Sequence, residues 1–183
     1  MVDVKNDMEH LVRAEVGRHR KNLKESRGRC WCPQCEADVV ALALNHLPPR
    51  YCRGVNFGAA ASEGHADRVA SVVGRALGKV GQRPKHRPGS PDRFHSEAQL
   101  EDFGLKIGRT IVGHSLAAAA AACSCDACQA DALALALNRY PPKYGVSSPG
   151  RVSYQANFED FIRHEIGLVL AQTCRVVSAS PHH

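Results

Sequence analysis

The chain carries one segment twice. Residues 30–51 read CWCPQCEADVVALALNHLPPRY and residues 123–144 read CSCDACQADALALALNRYPPKY, at a constant offset of 93 without a gap. More than half of the aligned positions are identical, including three cysteines, an aspartate, two prolines and a tyrosine. A long segment that occurs twice indicates tandem duplication of a domain, not a solenoid of many short units. A residue present in both copies therefore serves the shared fold or site, whereas an unmatched residue needs separate evidence.

Length and repeat together predict two small domains. The chain has 183 residues, which suits two units of roughly 90 residues each. We place a first domain at residues 1–86, a proline-rich basic linker at residues 87–95 and a second domain at residues 96–183. Units of this size bury little core, so a metal ion or packing between the copies would help them to fold.

Composition and periodicity favour helices. Aromatic residues make up only 5% of the chain, and apolar residues at helical spacing predict three helices in each copy. In the first copy they are Met8, Leu11, Val12 and Val16, then residues 37–47, then Val69, Val72, Val73, Leu77 and Val80. In the second copy they are Leu100, Phe103, Leu105 and Ile111, then Ala132–Leu137, then Phe158, Phe161, Ile162, Leu168, Val169 and Val177. The sequence thus predicts an all-α fold, with two tandem helical domains packed as an intramolecular pseudo-dimer.

Cysteine spacing predicts two metal sites. Six of the eight cysteines form two C-x-C-x-x-C triads: Cys30, Cys32, Cys35, Cys123, Cys125 and Cys128. Three thiolates so close together can bind one ion, and zinc is the metal that we expect. An iron–sulfur cluster or reduced buried thiols are the alternatives. Cys52 and Cys174 have no counterpart in the other copy, so we interpret them as ordinary thiols.

The fourth zinc ligand is less well defined by the sequence. Each copy ends in Pro-x-His, which aligns His86 with His183, and three cysteines with one histidine form an ordinary zinc set. Cys52, Cys174, a residue of a second chain or water are the alternatives. No recognisable motif sets a carboxylate beside an open coordination position, so the zinc is expected to be structural.

Charge is distributed unevenly. Residues 1–90 contain 16 Lys and Arg against 9 Asp and Glu, whereas residues 91–183 contain 8 against 9. The excess is concentrated ahead of the first triad, in a run that includes Arg18 and Arg20. Guanidinium groups in such a run suit phosphates. The alternative is a solvated basic helix face.

Three positions that recur in both copies are further candidates for ligand binding. They are Asn45, Arg50 and Tyr51, matched by Asn138, Lys143 and Tyr144. A base could stack on the tyrosine ring while the cation contacts a phosphate and the asparagine reads the base edge. The alternative is structural, with a helix-stopping turn, a tyrosine packed on its own core and an asparagine that ends its helix.

The chain resembles the late competence protein ComFB family. The residues that carry the resemblance are the cysteine triad, Asp38, Ala41 to Asn45, Leu47 to Pro49 and Tyr51, with Asn6, Met8, Glu9, Leu11 and Val12 before them and Arg83 to His86 after them. The second copy repeats them at its triad, Asp131, Ala134 to Asn138, Pro141, Pro142 and Tyr144. The resemblance implies a small helical domain that dimerises, carries cysteine-bound zinc and, in several members, is a receptor for cyclic dinucleotides, notably cyclic di-GMP. Family members usually have one domain, so a tandem chain departs from the pattern.

Other functional classes have less support. A sequence pI near 9.0 would allow nucleic-acid binding, but no helix-turn-helix, RRM or KH signature accompanies it. A docking module without a ligand is a further alternative. We find no catalytic triad order, Walker loop or dinucleotide-binding glycine motif, so we do not expect an enzyme. Without a signal peptide or an apolar stretch of roughly 20 residues, we expect a cytoplasmic protein that has no membrane contact and relays its signal to a downstream protein.

Overall fold

The two copies repeat one order of elements: strand, helix, helix, strand, helix. The computed structural model describes residues 3–22, 30–54, 65–84, 99–118, 123, 125–147 and 155–179, with side chains of the last segment from residue 158 on. The first copy contains β1 (Val4–Asn6), α1 (Met8–Lys21), α2 (Pro33–Leu44), β2 (Tyr51–Arg53) and α3 (Ala66–Gln82). The second contains β3 (Gln99–Asp102), α4 (Phe103–Ala118), α5 (Asp126–Arg139), β4 (Tyr144–Ser147) and α6 (Gln155–Ala179).

The predicted helices are present, and their starts and stops follow from local chemistry. Pro33 occupies the first turn of α2, where its missing N–H removes no helical hydrogen bond. The same helix ends at Leu44, ahead of Pro48 and Pro49, as expected. In α3, the predicted stripe is buried at Val69, Val72, Val73 and Leu77 and half-buried at Val80.

The prediction of an all-α fold was only partly right, because the described chain also contains two small antiparallel sheets. β1 pairs with β2, with Asn6 opposite Tyr51, and β3 pairs with β4, with Asp102 opposite Tyr144. Leu100 was expected in a helix and lies in β3. Strands of three or four residues are too short to show a clear period of two, so the periodicity test could not detect them.

Each copy contributes side chains to the apolar core of the other. Val4 and Tyr51 of the first copy belong to the apolar cluster formed by α4, α5 and α6. Tyr144 of the second copy belongs to the cluster formed by α1, α2 and α3, and Leu100 and Val146 pack against it. Each small sheet thus packs on the helices of the other copy. The boundaries at residues 86 and 96 stay a prediction, and the linker at 87–95 lies outside the described residues.

The last helix buries one stripe of its apolar residues and exposes others. Ile162 and Val177, which were predicted to lie in this helix, are buried, together with Ile166, Leu170 and Cys174. Phe158, Phe161 and Leu168, predicted in the same helix, are exposed, and Val176 is exposed with them. A 25-residue helix carries more apolar residues than one stripe can bury, and composition alone does not say which stripe faces inward. None of the described helices is long and apolar enough to cross a membrane.

Candidate functional site

The cysteines of each C-x-C-x-x-C segment form a cluster. The Sγ atoms of Cys30, Cys32 and Cys35 all lie within 4.8 Å of one another, and those of Cys123, Cys125 and Cys128 do the same. Sulfur ligands of a tetrahedral zinc ion, with Zn–S bonds of about 2.3 Å, lie about 3.8 Å apart. Each triad could therefore hold a metal ion, and three sulfur donors suit a soft or borderline metal such as zinc.

Both triads lie at the start of a helix. Cys32 is the N-cap of α2, and its Sγ accepts a hydrogen bond from the backbone N–H of Cys35 at 3.4 Å. Cys125 holds the matching position before α5. The partial positive charge of a helix N-terminus favours thiolates, and the backbone N–H of Cys128 lowers the pKa of Cys125.

Burial opposes ionisation of the deepest thiol in each triad. It raises the pKa of Cys35, and it raises the pKa of Cys128 to about 12. The neighbouring cysteines add to both shifts. A bound cation would reverse this effect, because its charge stabilises the thiolates that coordinate it. The donor set therefore fits a metal better than it fits three free thiols.

The fourth ligand stays a prediction. Within the described part of the chain, no fourth His, Cys, Asp or Glu joins either cluster at the same distance. His86 and His183 lie outside the described residues. Cys174 is buried in the core of the second copy, and Cys52 donates a hydrogen bond to Asp7 Oδ1 at 3.3 Å. Neither of these thiols belongs to a triad, in line with their interpretation as ordinary cysteines.

The two matched asparagines connect the copies. Asn45 Nδ2 donates to the carbonyl of Tyr144 at 2.9 Å, and its Oδ1 accepts from the N–H of Tyr144 at 2.7 Å. Asn138 holds Tyr51 in the same way, at 2.8 and 2.7 Å. Each side-chain amide therefore provides the hydrogen-bond partners for the backbone N–H and C=O of one strand residue in the opposite copy. Asn45 is also the C-cap of α2, in line with the structural alternative, and Asn138 lies in the last turn of α5. The sequence does not predict this contact between the copies.

The matched tyrosines are also held by the opposite copy. Tyr51 OH donates to Asp102 Oδ2 at 2.6 Å. Tyr144 OH donates to Glu9 Oε1 at 2.9 Å and accepts from Asn6 Nδ2 at 3.1 Å. Burial is the main cause of a raised pKa at both tyrosines and at both carboxyl groups. These hydroxyls therefore stay protonated and act as hydrogen-bond donors within a mostly dry cluster.

The other predicted ligand residues already contact groups of the protein. The ring of Tyr51 is 5% exposed and that of Tyr144 is 6% exposed, so neither offers an open face for stacking. Lys143 Nζ lies 5.9 Å from the centre of the Tyr140 ring, and Arg18 pairs with Glu15 at 2.6 Å. The backbone N–H of Arg50 donates to Asn6 Oδ1. Ligand binding by these side chains stays a prediction that their burial and pairing do not favour.

A cleft of about 580 Å³ lies between the first copy and β3 of the second. Its lining residues come from α1, the first cysteine segment, α2 and β3: Arg13, Arg20, Trp31, Pro33, Glu36, Ala37, Val40, Gln99 and Leu100. Arg20 pairs with Glu36 at 3.0 Å, and Trp31 packs against the core of the first copy. The indole Nε1 of Trp31 is shielded from solvent and has no hydrogen-bond partner in the described structure.

The chemistry of this cleft suits a flat anion. Its volume falls within the roughly 300–1,000 Å³ of small-molecule sites. Guanidinium groups bind phosphates in a bidentate way, and an indole offers a surface on which a base can stack. The Arg20–Glu36 pair is exposed, so it is worth about 0–1 kcal/mol and a phosphate could displace it.

Comparison with known proteins gives one match. The sequence model described as "Late competence development protein ComFB" matches residues 5–84 and 107–181, which are most of both copies. The chain belongs to the ComFB family. Searches of curated proteins and of solved structures gave no match. The split match is consistent with two tandem ComFB domains in one chain.

The family match separates two parts of the cleft. In this ComFB chain, the lining residues of the first copy fall inside the matched residues, whereas Gln99 and Leu100 fall between the two matched segments. Sequence reasoning found Arg20 but missed Trp31, because Trp31 aligns with Ser124 and the repeat test sets unmatched residues aside. The useful signal was its position between two cysteines of the triad, where a large aromatic ring would have no role in coordination.

Proposed function

We propose that this ComFB protein is a zinc-containing receptor for a cyclic dinucleotide, with cyclic di-GMP as the favoured ligand, and that it acts by binding a partner protein rather than by catalysis. Family membership supports the ligand class. The observation in the structure that carries the proposal is the cleft in which Arg13, Arg20 and Trp31 line one opening. A cyclic dinucleotide has two phosphates and two flat bases, so it needs cations and an aromatic surface together.

Calorimetric titration of the metal-loaded chain tests the ligand. We expect saturable binding of cyclic di-GMP with a Kd at or below the micromolar range, weaker binding of cyclic di-AMP and little binding of GMP. Selective binding that persists at moderately raised salt concentration would indicate a receptor. A nucleic-acid-binding protein would instead lose affinity steeply as the salt concentration rises. Absence of binding by either cyclic dinucleotide would refute the proposed ligand.

We propose zinc as the metal of both triads. Replacing Cys32 or Cys125 with Ser removes one thiolate from a triad, so each variant should lose about one metal equivalent and unfold at a lower temperature. Cys52→Ser is the matched control, because Cys52 is a half-buried thiol outside both triads. Metal content is measured by elemental analysis of the purified protein. A full metal load in Cys32→Ser and Cys125→Ser would remove the triads as ligands.

The second candidate is a metal-stabilised interaction module without a nucleotide. It is favoured by the exposed apolar residues of α6, where Leu168 and Val176 replace Ser71 and Lys79 at the matching positions of α3. Large exposed apolar residues on one helix face are typical of protein contacts. This alternative predicts no heat signal with any nucleotide and self-association, seen by sedimentation velocity, that Leu168→Glu abolishes. A monomer that binds cyclic di-GMP would exclude it.

A further inference from the structure

We infer that the cleft beside Trp31 is the nucleotide site and that the chain has one such site, in the first copy alone. This inference rests on the proposed function for its ligand class but adds the site, its mode of binding and the stoichiometry. It is carried by a comparison of the two copies, because duplication would by default supply two equivalent sites.

The strand pairing defines which residues correspond. Tyr51 and Tyr144 are repeat partners, and they pair with Asn6 and Asp102 respectively. The first strand and first helix of the copies therefore align at an offset of 96. Arg13 then corresponds to Arg109, Arg20 to Leu116 and Leu100 to Val4. Within the repeat itself, Trp31 corresponds to Ser124 and Pro33 to Asp126.

The matching region of the second copy lacks the groups that bind a nucleotide. Leu116 is fully buried in the core of the second copy, where Arg20 of the first copy is exposed. Arg109 keeps its charge, but its Nη2 donates to the carbonyl of Val4 at 2.9 Å. The aromatic ring of Trp31 is replaced by Ser124 in the sequence. Among the described residues of the matching region, the second copy therefore has one guanidinium group where the first copy has two, and its sequence has no indole there.

Another cleft in the molecule is a weaker candidate. It has a volume of about 350 Å³ and is lined in part by Arg53, Asp131, Leu135 and Val176. Arg53 and Asp131 form an ion pair across the two copies at 3.4 Å, and none of the described residues that line this cleft is aromatic. It lacks the stacking surface that the Trp31 cleft has.

Each side chain of the Trp31 cleft can be matched to one part of the ligand. A base stacks on the indole of Trp31, and a phosphate replaces Glu36 as the partner of the Arg20 guanidinium. The freed carboxylate of Glu36 can then accept hydrogen bonds from the N–H groups on the Watson–Crick edge of guanine. Adenine presents an acceptor at the corresponding ring nitrogen, so this arrangement favours guanine. Arg13, on the same face of α1, is placed to meet a second phosphate.

The experiment uses Trp31 as its own reporter, because it is the single tryptophan of the chain. Cyclic di-GMP, cyclic di-AMP, GMP and ATP are titrated into the metal-loaded protein while indole fluorescence is recorded, and calorimetry gives the number of sites. We expect cyclic di-GMP to change the fluorescence of Trp31 and to bind with a stoichiometry of one molecule per chain. Arg20→Ala should weaken binding at least tenfold, whereas Arg75→Ala, which removes an exposed arginine of α3 outside the cleft, should change it less than twofold.

A matched pair of variants tests the asymmetry between the copies. Arg13→Ala should weaken binding several-fold, whereas Arg109→Ala, at the corresponding position of the second copy, should leave the affinity within about twofold. Equal losses from the two variants, two independent sites, or binding that leaves Trp31 fluorescence and the Arg20→Ala affinity unchanged would overturn the inference while the receptor function stands. If only GMP or ATP binds, with the same dependence on Arg20 and Arg13, the site is right and the cyclic-dinucleotide function is wrong. If none of the four binds, both are wrong.

Discussion

Asn45 and Asn138 each make two hydrogen bonds to the backbone of a tyrosine in the other copy. A net hydrogen bond contributes about 0.5–1.5 kcal/mol, and a buried backbone group left without a partner costs about 1–3 kcal/mol. We therefore expect Asn45→Ala and Asn138→Ala each to lower the free energy of unfolding by about 2 kcal/mol. Urea denaturation followed by circular dichroism measures this change.

Arg139→Ala is the control for that pair, because Arg139 is exposed and adjoins Asn138. It should change the free energy of unfolding by less than about 0.5 kcal/mol. If the asparagine variants were as stable as Arg139→Ala, the inter-copy amide contacts would not contribute to folding. Loss of ligand binding by a fully stable Asn45→Ala variant would instead return this residue to the role that the sequence suggested.

Two half-buried carboxyl groups should make stability depend on pH. Desolvation raises the pKa of Glu9 above 4.5 and that of Asp102 above 3.8. Because the folded state favours the protonated forms, their contribution is fully present below these values and is lost as pH rises through the raised ones. Glu9→Gln should therefore gain stability relative to the wild type as pH rises from about 4 to about 7.

Glu15→Gln supplies a control of opposite sign. A hydrogen bond from Arg18 lowers the pKa of Glu15, so its contribution is present above 4.5 and is lost as pH falls. The stability of Glu15→Gln should fall relative to the wild type over the same rise in pH. Urea midpoints measured at several pH values test both variants, and slopes of the same sign would contradict the assigned burial of Glu9.

At the scale of the elements, the copies pack the same helix pair with different side chains. A Cβ atom added at Gly108 of α4 would lie 2.5 Å from Leu133 Cδ1 of α5. The corresponding positions of the first copy are Val12 and Val40, both buried. The second copy thus combines a small and a large residue where the first has two of middle size, which conserves total volume.

This difference in packing predicts that a second substitution can restore the stability lost through a first one. Gly108→Val alone should lower the free energy of unfolding by about 1–3 kcal/mol, because it overpacks the contact with Leu133. Adding Leu133→Val recreates the pair of the first copy and should recover most of that loss. Leu133→Val alone should destabilise by leaving a cavity. A double-mutant cycle in urea measures the coupling, and simple additivity of the two losses would refute the contact.

The sequence predicted the elements that are determined by residues near them in the chain, and it missed those that depend on distant residues. The cysteine triads, with three ligands in six residues, were found because their spacing alone brings the sulfurs together. α2 was found because an Ala- and Leu-rich run ends shortly before Pro48 and Pro49. The strands were missed because β1 and β2 are three residues long, and the place of Tyr51 depends on Asp102 and Asn138 of the other copy. No local pattern records a partner so distant in the chain.

The whole molecule should unfold as one unit. Each copy contributes a strand tyrosine to the core of the other, so neither core is complete by itself. Trp31 fluorescence reports on the first copy, while far-ultraviolet circular dichroism reports on the helices of both. We expect the two signals to give coincident urea transitions, as two-state unfolding requires. A helical signal that persists after the Trp31 transition would show that the second copy folds independently.

The same interlocking explains why the cleft could not be predicted in full. Arg20, Trp31 and Leu100 come from three separate segments, and Leu100 belongs to the other copy. Identity between the copies was a good guide to residues that build the shared fold, such as Asn45 and Tyr51. It was a poor guide to the proposed ligand site, since a site in one copy alone would depend on residues that the other copy does not share.

A crystal structure of the metal-loaded chain grown with cyclic di-GMP would test the central claim most directly. The account predicts nucleotide density at the first copy alone, with a base against Trp31 and a phosphate at Arg20. It also predicts that Asn45 and Asn138 still hold the backbone of Tyr144 and Tyr51. Nucleotide bound at both copies, or bound through Tyr51 and Tyr144 with the Trp31 cleft empty, would contradict it.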